Sequence, residues 1–175
     1  VSEFRQDLVS GDWILLAPLR SRRHKFKRRA KMELSKNKCP FENPSKFGNA
    51  PPVLVYQKET GNDWFLQIIP NKYPAVEPGS CGPIHKKGLY KTQTGAGFHE
   101  IVIFRDHDRY LNDFTKGEIK KVFSAYQERY RSLAKEKCIE YISIFHNHGE
   151  EAGSTVPHPH SQILALPIVP SDVSH

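Results

Sequence analysis

"STVPHPHSQILALP", residues 154–167, decides how this chain is read. Two histidines flank a proline, a glutamine follows two residues later, and an apolar run comes next. Alternate side chains of a strand share a face, so His158, His160 and Gln162 line up on one side and Pro159 and Ser161 on the other. Pro159 lacks a backbone donor and fixes its own φ, so the strand should start unpaired or at an edge. Histidines at this spacing can bind a metal, catalyse a reaction or close a loop through hydrogen bonds. The residues alone leave all three open. Immediately upstream, Gly153, Ser154 and Thr155 offer amides and hydroxyls of the kind that cradle a phosphate.

Working outward, other strands show by their composition. "DWILLAP" (12–18), "VLVYQ" (53–57), "WFLQIIP" (64–70) and "EYISIFHN" (140–147) are apolar runs bounded by turn residues. "GFHEIVIFRDH" (97–107) is the clearest strand. One face carries His99, Ile101, Ile103, Arg105 and His107, and the other Phe98, Glu100, Val102 and Phe104. A single long helix follows the capping box "TKGE" (115–118), with apolar residues at Ile119, Val122, Phe123, Tyr126, Tyr130, Leu133 and Ala134. "SKNKCPFENPSKFGNAPP" (35–52) is irregular, because proline and asparagine favour turns. The expected fold class is α+β: a mostly antiparallel sheet with one long helix packed on it, forming one domain over residues 1–175.

The chain has 175 residues, enough for one hydrophobic core. No apolar run approaches a membrane span, and the first residues do not resemble a signal peptide. Cys39, Cys81 and Cys138 are too few and too scattered for a disulfide framework, which points to a cytoplasmic protein. The chain lacks an initiator methionine and stops at "PSDVSH", as a fragment would. The net charge of +7 is concentrated in "RSRRHKFKRRAK" (20–31), which suits a polyanion or the phosphates of a small ligand. No RNA-recognition, KH or helix-turn-helix pattern accompanies it, so nucleic acid is the weaker choice of partner.

A neutral imidazole is a competent nucleophile at phosphorus, and a covalent intermediate splits one difficult transfer into two easier ones. The ring must be held in one tautomer, and donors must meet the phosphate oxygens as charge spreads. His160 with a backbone carbonyl partner and Gln162 as phosphate donor would meet those needs.

"FHNHGEEAGSTVPHPHSQILALP" resembles the active-site segment of the galactose-1-phosphate uridylyltransferase family, in the histidine-triad superfamily. "DLVSGDWILLAPLRSRR", "CPFENP", "IIPNKYPAV" and "GFHEIVIFRDHDRYLNDF" resemble other family segments in the same order, so the likeness spans nearly the whole chain. It is also similar to the ADP-glucose and dinucleoside-tetraphosphate phosphorylases. The resemblance implies a histidine-triad-like domain in which His160 attacks the α-phosphorus of UDP-glucose. Glucose 1-phosphate leaves, and galactose 1-phosphate collects the uridylyl group. It also implies that Gln162 contacts the transferring phosphoryl group. Asn147, Gly153, Ser154 and Thr155 would bind the diphosphate, Asn71 the nucleotide, and Arg20 and Arg23 phosphate.

Many family members hold a structural zinc, and the corresponding residues here are Cys39, Glu42, His107 and His158. Glu42 stands where a second cysteine is usual. Closed structural sites favour sulfur and nitrogen, although a carboxylate can also ligate zinc. Full-length members carry two copies of the fold, and this sequence corresponds to the first. The expectation is therefore a homodimer or a chain paired with a second half. Two alternatives stand beside the uridylyltransferase reading: a phosphorylase, and a non-catalytic nucleotide- or RNA-binding domain.

Overall fold

A computed structural model describes residues 2–18, 20, 35–149, 151–154 and 156–173. Most of the basic run, including Arg23, lies outside the described residues, as does Thr155. The strands are β1 (Glu3–Gln6), β2 (Trp13–Leu16), β3 (Leu54–Gln57), β4 (Trp64–Pro70), β5 (His85–Lys87), β6 (Tyr90–Thr94), β7 (Phe98–Phe104), β8 (Tyr141–Phe145) and β9 (His160–Leu166); the α-helix, α1, is Lys116–Leu133.

The larger sheet has five strands in the order β3-β4-β7-β9-β8, with every neighbouring pair antiparallel. β9 is therefore an interior strand and not an edge. Pro159 does no harm because it precedes the first paired residue, His160, which lies opposite Ile103. One face of this sheet carries Leu66, Ile68, Val102, Phe104, Ile163 and Ala165, packed with Val122, Ala125 and Leu133 of α1. The opposite face carries Ile69, Ile101 and Ile103, covered by Cys39, Phe41 and Val156. The alternation expected for residues 97–107 holds in the strand itself, and it separates the helix side from the histidine side.

Sequence reading missed the second sheet, β2-β1-β6-β5. Its members β1 ("EFRQ"), β5 ("HKK") and β6 ("YKTQT") are short and largely polar, so no apolar alternation announces them. The chain passes from this sheet to the larger one through Gly95-Ala96-Gly97. A Cβ on Gly95 would stand 2.6 Å from the Ser2 carbonyl carbon, and one on Gly97 would stand 2.3 Å from the Ala165 carbonyl oxygen. Only residues without a side chain let the backbones approach that closely.

The capping box forms as expected: Thr115 Oγ1 accepts from the Glu118 amide, and Glu118 Oε2 accepts from the Thr115 amide. The buried stripe of α1 is narrower than its apolar pattern suggests. Phe123 is 63% exposed and Tyr130 47%, while Ala125 is fully buried. A bidentate ion pair joins helix to sheet, with Arg129 Nε and Nη2 at 2.7 and 2.6 Å from the two oxygens of buried Glu100. Losing one partner of such a pair typically costs about 3–5 kcal/mol, because the other charge stays buried.

Cys81 and Cys138 are 57 residues apart in sequence yet form a disulfide, with their Cα atoms 5.6 Å apart. It ties the segment between β4 and β5 to the turn after α1 and corrects the view of three scattered cysteines. Spacing along the chain does not report proximity across a fold. No helix among the described residues is long and apolar enough to cross a membrane.

Candidate active site and metal centre

β9 carries His160 and Gln162 on the face away from α1, across from Ile103 and Ile101 of β7. His160 is only 7% exposed, so it is a buried residue and not a loop histidine. Its Nδ1 donates to the main-chain carbonyl of His158 at 2.8 Å. A carbonyl can only accept, so Nδ1 carries the proton and Nε2 keeps the lone pair. The Phe41 ring meets the imidazole edge-on, with centroids 5.0 Å apart. The carbonyl is supplied two residues upstream, so His-Pro-His fixes the tautomer of its own second histidine.

Gln162 is half-buried, and its Oε1 lies 3.0 Å from Nε2 of His99 on β7. Asn71, which follows β4, has Nδ2 3.1 Å from the same His99 nitrogen. The structure thus brings Gln162 and Asn71 together around a histidine that sequence reading left without a role. The available signal was strand alternation, which places His99 on the face shared by Ile101 and Ile103.

Behind His160 the four proposed metal ligands converge. Cys39, His107 and His158 each offer a donor atom, and these lie within 4.8 Å of one another. His158 is fully buried, and its Nε2 donates to the Phe104 carbonyl at 2.6 Å, which leaves the lone pair on Nδ1. Around that nitrogen stand Cys39 Sγ at 3.5 Å, His107 Nδ1 at 3.0 Å and Glu42 Oε2 at 3.8 Å. Glu42 Oε2 is 3.4 Å from His107 Nδ1, and it is a buried oxygen with no hydrogen-bond partner among the described residues. The other Glu42 oxygen accepts from Arg105 Nη1 at 2.8 Å, so Arg105 aims the carboxylate.

Burial pushes the Cys39 thiol up and holds His158 down at about 4, so its imidazole is neutral near pH 7. A tetrahedron built on bonds of about 2.0–2.3 Å has edges of about 3.3–3.8 Å. The 3.4, 3.5 and 3.8 Å spacings fall in that range, and the two histidine nitrogens, 3.0 Å apart, need to separate by only about 0.3 Å to reach it. The donors present therefore fit a zinc ion, and the orphaned Glu42 oxygen is the feature a cation would satisfy.

The remaining candidates lie in the loops. Ser154 donates through Oγ to the Val156 carbonyl, and its amide donates to the Gly149 carbonyl, closing the turn that contains Gly153. Asn147 lies at the start of that β8–β9 loop. The Arg20 amide donates to the Ala17 carbonyl. The hydrogen bonds of Arg20 and Ser154 are thus local to their own loops.

A five-stranded antiparallel sheet backed by one helix, with His-x-His-x-Gln entering an interior strand, defines an α+β domain with a buried histidine at the head of that strand. The chain belongs to the galactose-1-phosphate uridyl transferase family: that family's N-terminal domain matches residues 1–170. The ADP-glucose phosphorylase of Arabidopsis thaliana is 34% identical over 98% of this chain and 50% of its own length. The galactose-1-phosphate uridylyltransferase of Thermotoga maritima is 26% identical over 98% and 48%. A solved uridylyltransferase superposes with a TM-score of 0.66 at 32% identity, covering 96% of this chain and 47% of that one. The Arabidopsis thaliana ADP-glucose phosphorylase with bound ADP-glucose gives 0.63 at 30%, covering 99% and 51%. This chain thus spans about half the length of the relatives it matches.

Proposed function

We propose that this domain transfers a nucleotidyl group through a covalent intermediate on His160, acting as a UDP-glucose:hexose-1-phosphate uridylyltransferase. The carrying observation is the Nδ1–H bond from His160 to its own main chain, which leaves Nε2 as a lone-pair nitrogen. Nε2 attacks the α-phosphorus, the P–O bond to the bridging oxygen breaks, and hexose 1-phosphate departs. A second hexose 1-phosphate then attacks the same phosphorus and frees the imidazole. The Gln162 amide donates to the transferring phosphoryl group, where a fixed donor is worth more in the transition state than in water. Asn71, Asn147, Gly153, Ser154, Thr155, Arg20 and Arg23 serve the nucleotide and its phosphates. Zinc, held by Cys39, Glu42, His107 and His158, would be structural, fixing the residues that precede His160.

We read residues 1–175 as one histidine-triad-like domain, equivalent to the N-terminal half of the family's chain, whose hexose contacts are completed by a second copy of the fold. The cytoplasm is the proposed compartment, and the Cys81–Cys138 pair tests it, since mesophilic cytosolic proteins keep most thiols reduced. A second reading, phosphorolysis of ADP-glucose, is favoured by the 34% identity to the plant phosphorylase. In that case inorganic phosphate resolves an adenylyl-His160.

One experiment covers both readings. The protein is incubated with uridylyl-labelled UDP-glucose or adenylyl-labelled ADP-glucose, quenched in base and examined for acid-labile label. We expect label on wild type and none on His160→Asn, whose amide can still donate to the His158 carbonyl. No label from either nucleotide sugar would sink the enzymatic reading and leave a binding domain.

A further inference from the structure

We propose that His99 is a positioning residue that locks the Gln162 carboxamide with its oxygen turned away, so that the NH2 group faces the transferring phosphoryl group. The assignment rests on the nucleotidyl-transfer reading for what the amide meets, but the lock itself follows from hydrogen bonds alone.

His99 is 5% exposed on β7. The Ala75 amide lies 2.9 Å from its Nδ1, and a backbone N–H can only donate, so Nδ1 holds the lone pair. The proton of the neutral ring is therefore on Nε2. Two amide groups reach that nitrogen: Gln162 Oε1 at 3.0 Å and Asn71 Nδ2 at 3.1 Å. Asn71 cannot accept there, because its Oδ1 is engaged by the Tyr73 amide at 2.9 Å and its NH2 end faces the ring. The Nε2 proton accordingly goes to Gln162 Oε1.

Because the Asn71 NH2 is itself a donor and takes no proton from Nε2, Gln162 Oε1 at 3.0 Å is the acceptor for it; flipping the Gln162 amide would exchange that acceptor for a second donor, while the transferring phosphoryl group would meet a carbonyl oxygen. The same arrangement ties back the Asn71 oxygen, leaving two carboxamide NH2 groups beside one ring. Paired donors of this kind suit anionic oxygens. The segment that supplies the Ala75 and Tyr73 amides follows β4, so the backbone of residues 71–75 sets the tautomer and the tautomer sets the donor. The Asn71 amide also donates to the His99 carbonyl at 2.8 Å, holding this segment against β7.

The test combines a tautomer measurement with a double-mutant cycle on the full chain. Two-bond 15N–1H correlation should show His99 protonated on Nε2 and bare on Nδ1. In single-turnover labelling from UDP-glucose or ADP-glucose, His99→Phe should slow transfer by about 10- to 100-fold with little change in half-saturating substrate. This is below the roughly 100- to 1,000-fold lost when such a donor is removed outright. His99→Gln, which can place an amide N–H near the position of Nε2–H, should recover most of the rate. In a Gln162→Ala background, His99→Phe should cost no more than about 2-fold, because the group it orients is gone. Full additivity of the two losses would show that His99 acts only on the fold and would overturn the proposal. A ring protonated on Nδ1 would overturn it whatever the labelling shows. If wild type takes no label, the transfer reading fails separately, and the tautomer alone decides whether His99 can orient the amide.

Discussion

At the scale of single residues, the site is a set of tautomer decisions made by neighbouring carbonyl and amide groups. His158 gives its Nε2 proton to Phe104, His160 gives its Nδ1 proton to His158, and His99 receives the Ala75 N–H on Nδ1. Each ring is thereby left with one defined nitrogen for its task. Strand alternation made His160 and Gln162 legible as neighbours on one face. It could not show the partners of their second atoms, because Phe104, Ala75 and Asn71 are distant in sequence. Glu42 was legible only through the family pattern. Its support, Arg105, was not, since an arginine on a strand face has no distinctive spacing. Elemental analysis of the purified protein should find about one zinc per chain. Glu42→Gln should weaken retention by more than the roughly 10- to 100-fold typical of losing an outer partner. An unchanged metal content would remove Glu42 from the ligand set.

At the scale of elements, α1 shows how far a pattern can be trusted. Its start was fully readable, because a capping box is a local arrangement of four residues. Its buried face was not, since Phe123 and Tyr130 fit the helical period yet lie largely exposed. Periodicity identifies a stripe but not how wide a strip the sheet covers. The cap also has an electrostatic side. Arg109 donates to both Glu118 oxygens at 2.9 Å and, with the Thr115 groups, holds the Glu118 carboxyl at about 2 instead of the usual 4.5. A depressed carboxylate contributes stability above its unfolded value and loses it as pH falls through the folded one. Wild type should therefore lose its urea-midpoint advantage over Glu118→Gln between about pH 4.5 and pH 2. A gap that stayed constant over that range would show that the cap adds nothing through charge.

At the scale of the whole molecule, the larger sheet was legible almost strand for strand, because each of its members is apolar enough to declare itself. The smaller sheet was not, and neither was the transfer of the chain between sheets at Gly95 and Gly97. Both depend on pairings with residues at the far N-terminus and on β9. The disulfide belongs to the same category of long-range fact. It closes a covalent ring from Cys81 to Cys138 that contains β5, β6, β7 and α1. A protease that nicks the exposed turn at Gly88 and Leu89 would therefore leave both pieces in one molecule. On a denaturing gel such a nicked chain should run as a single species until a thiol reductant separates it into two bands. Two bands without reductant would mean that the ring is open.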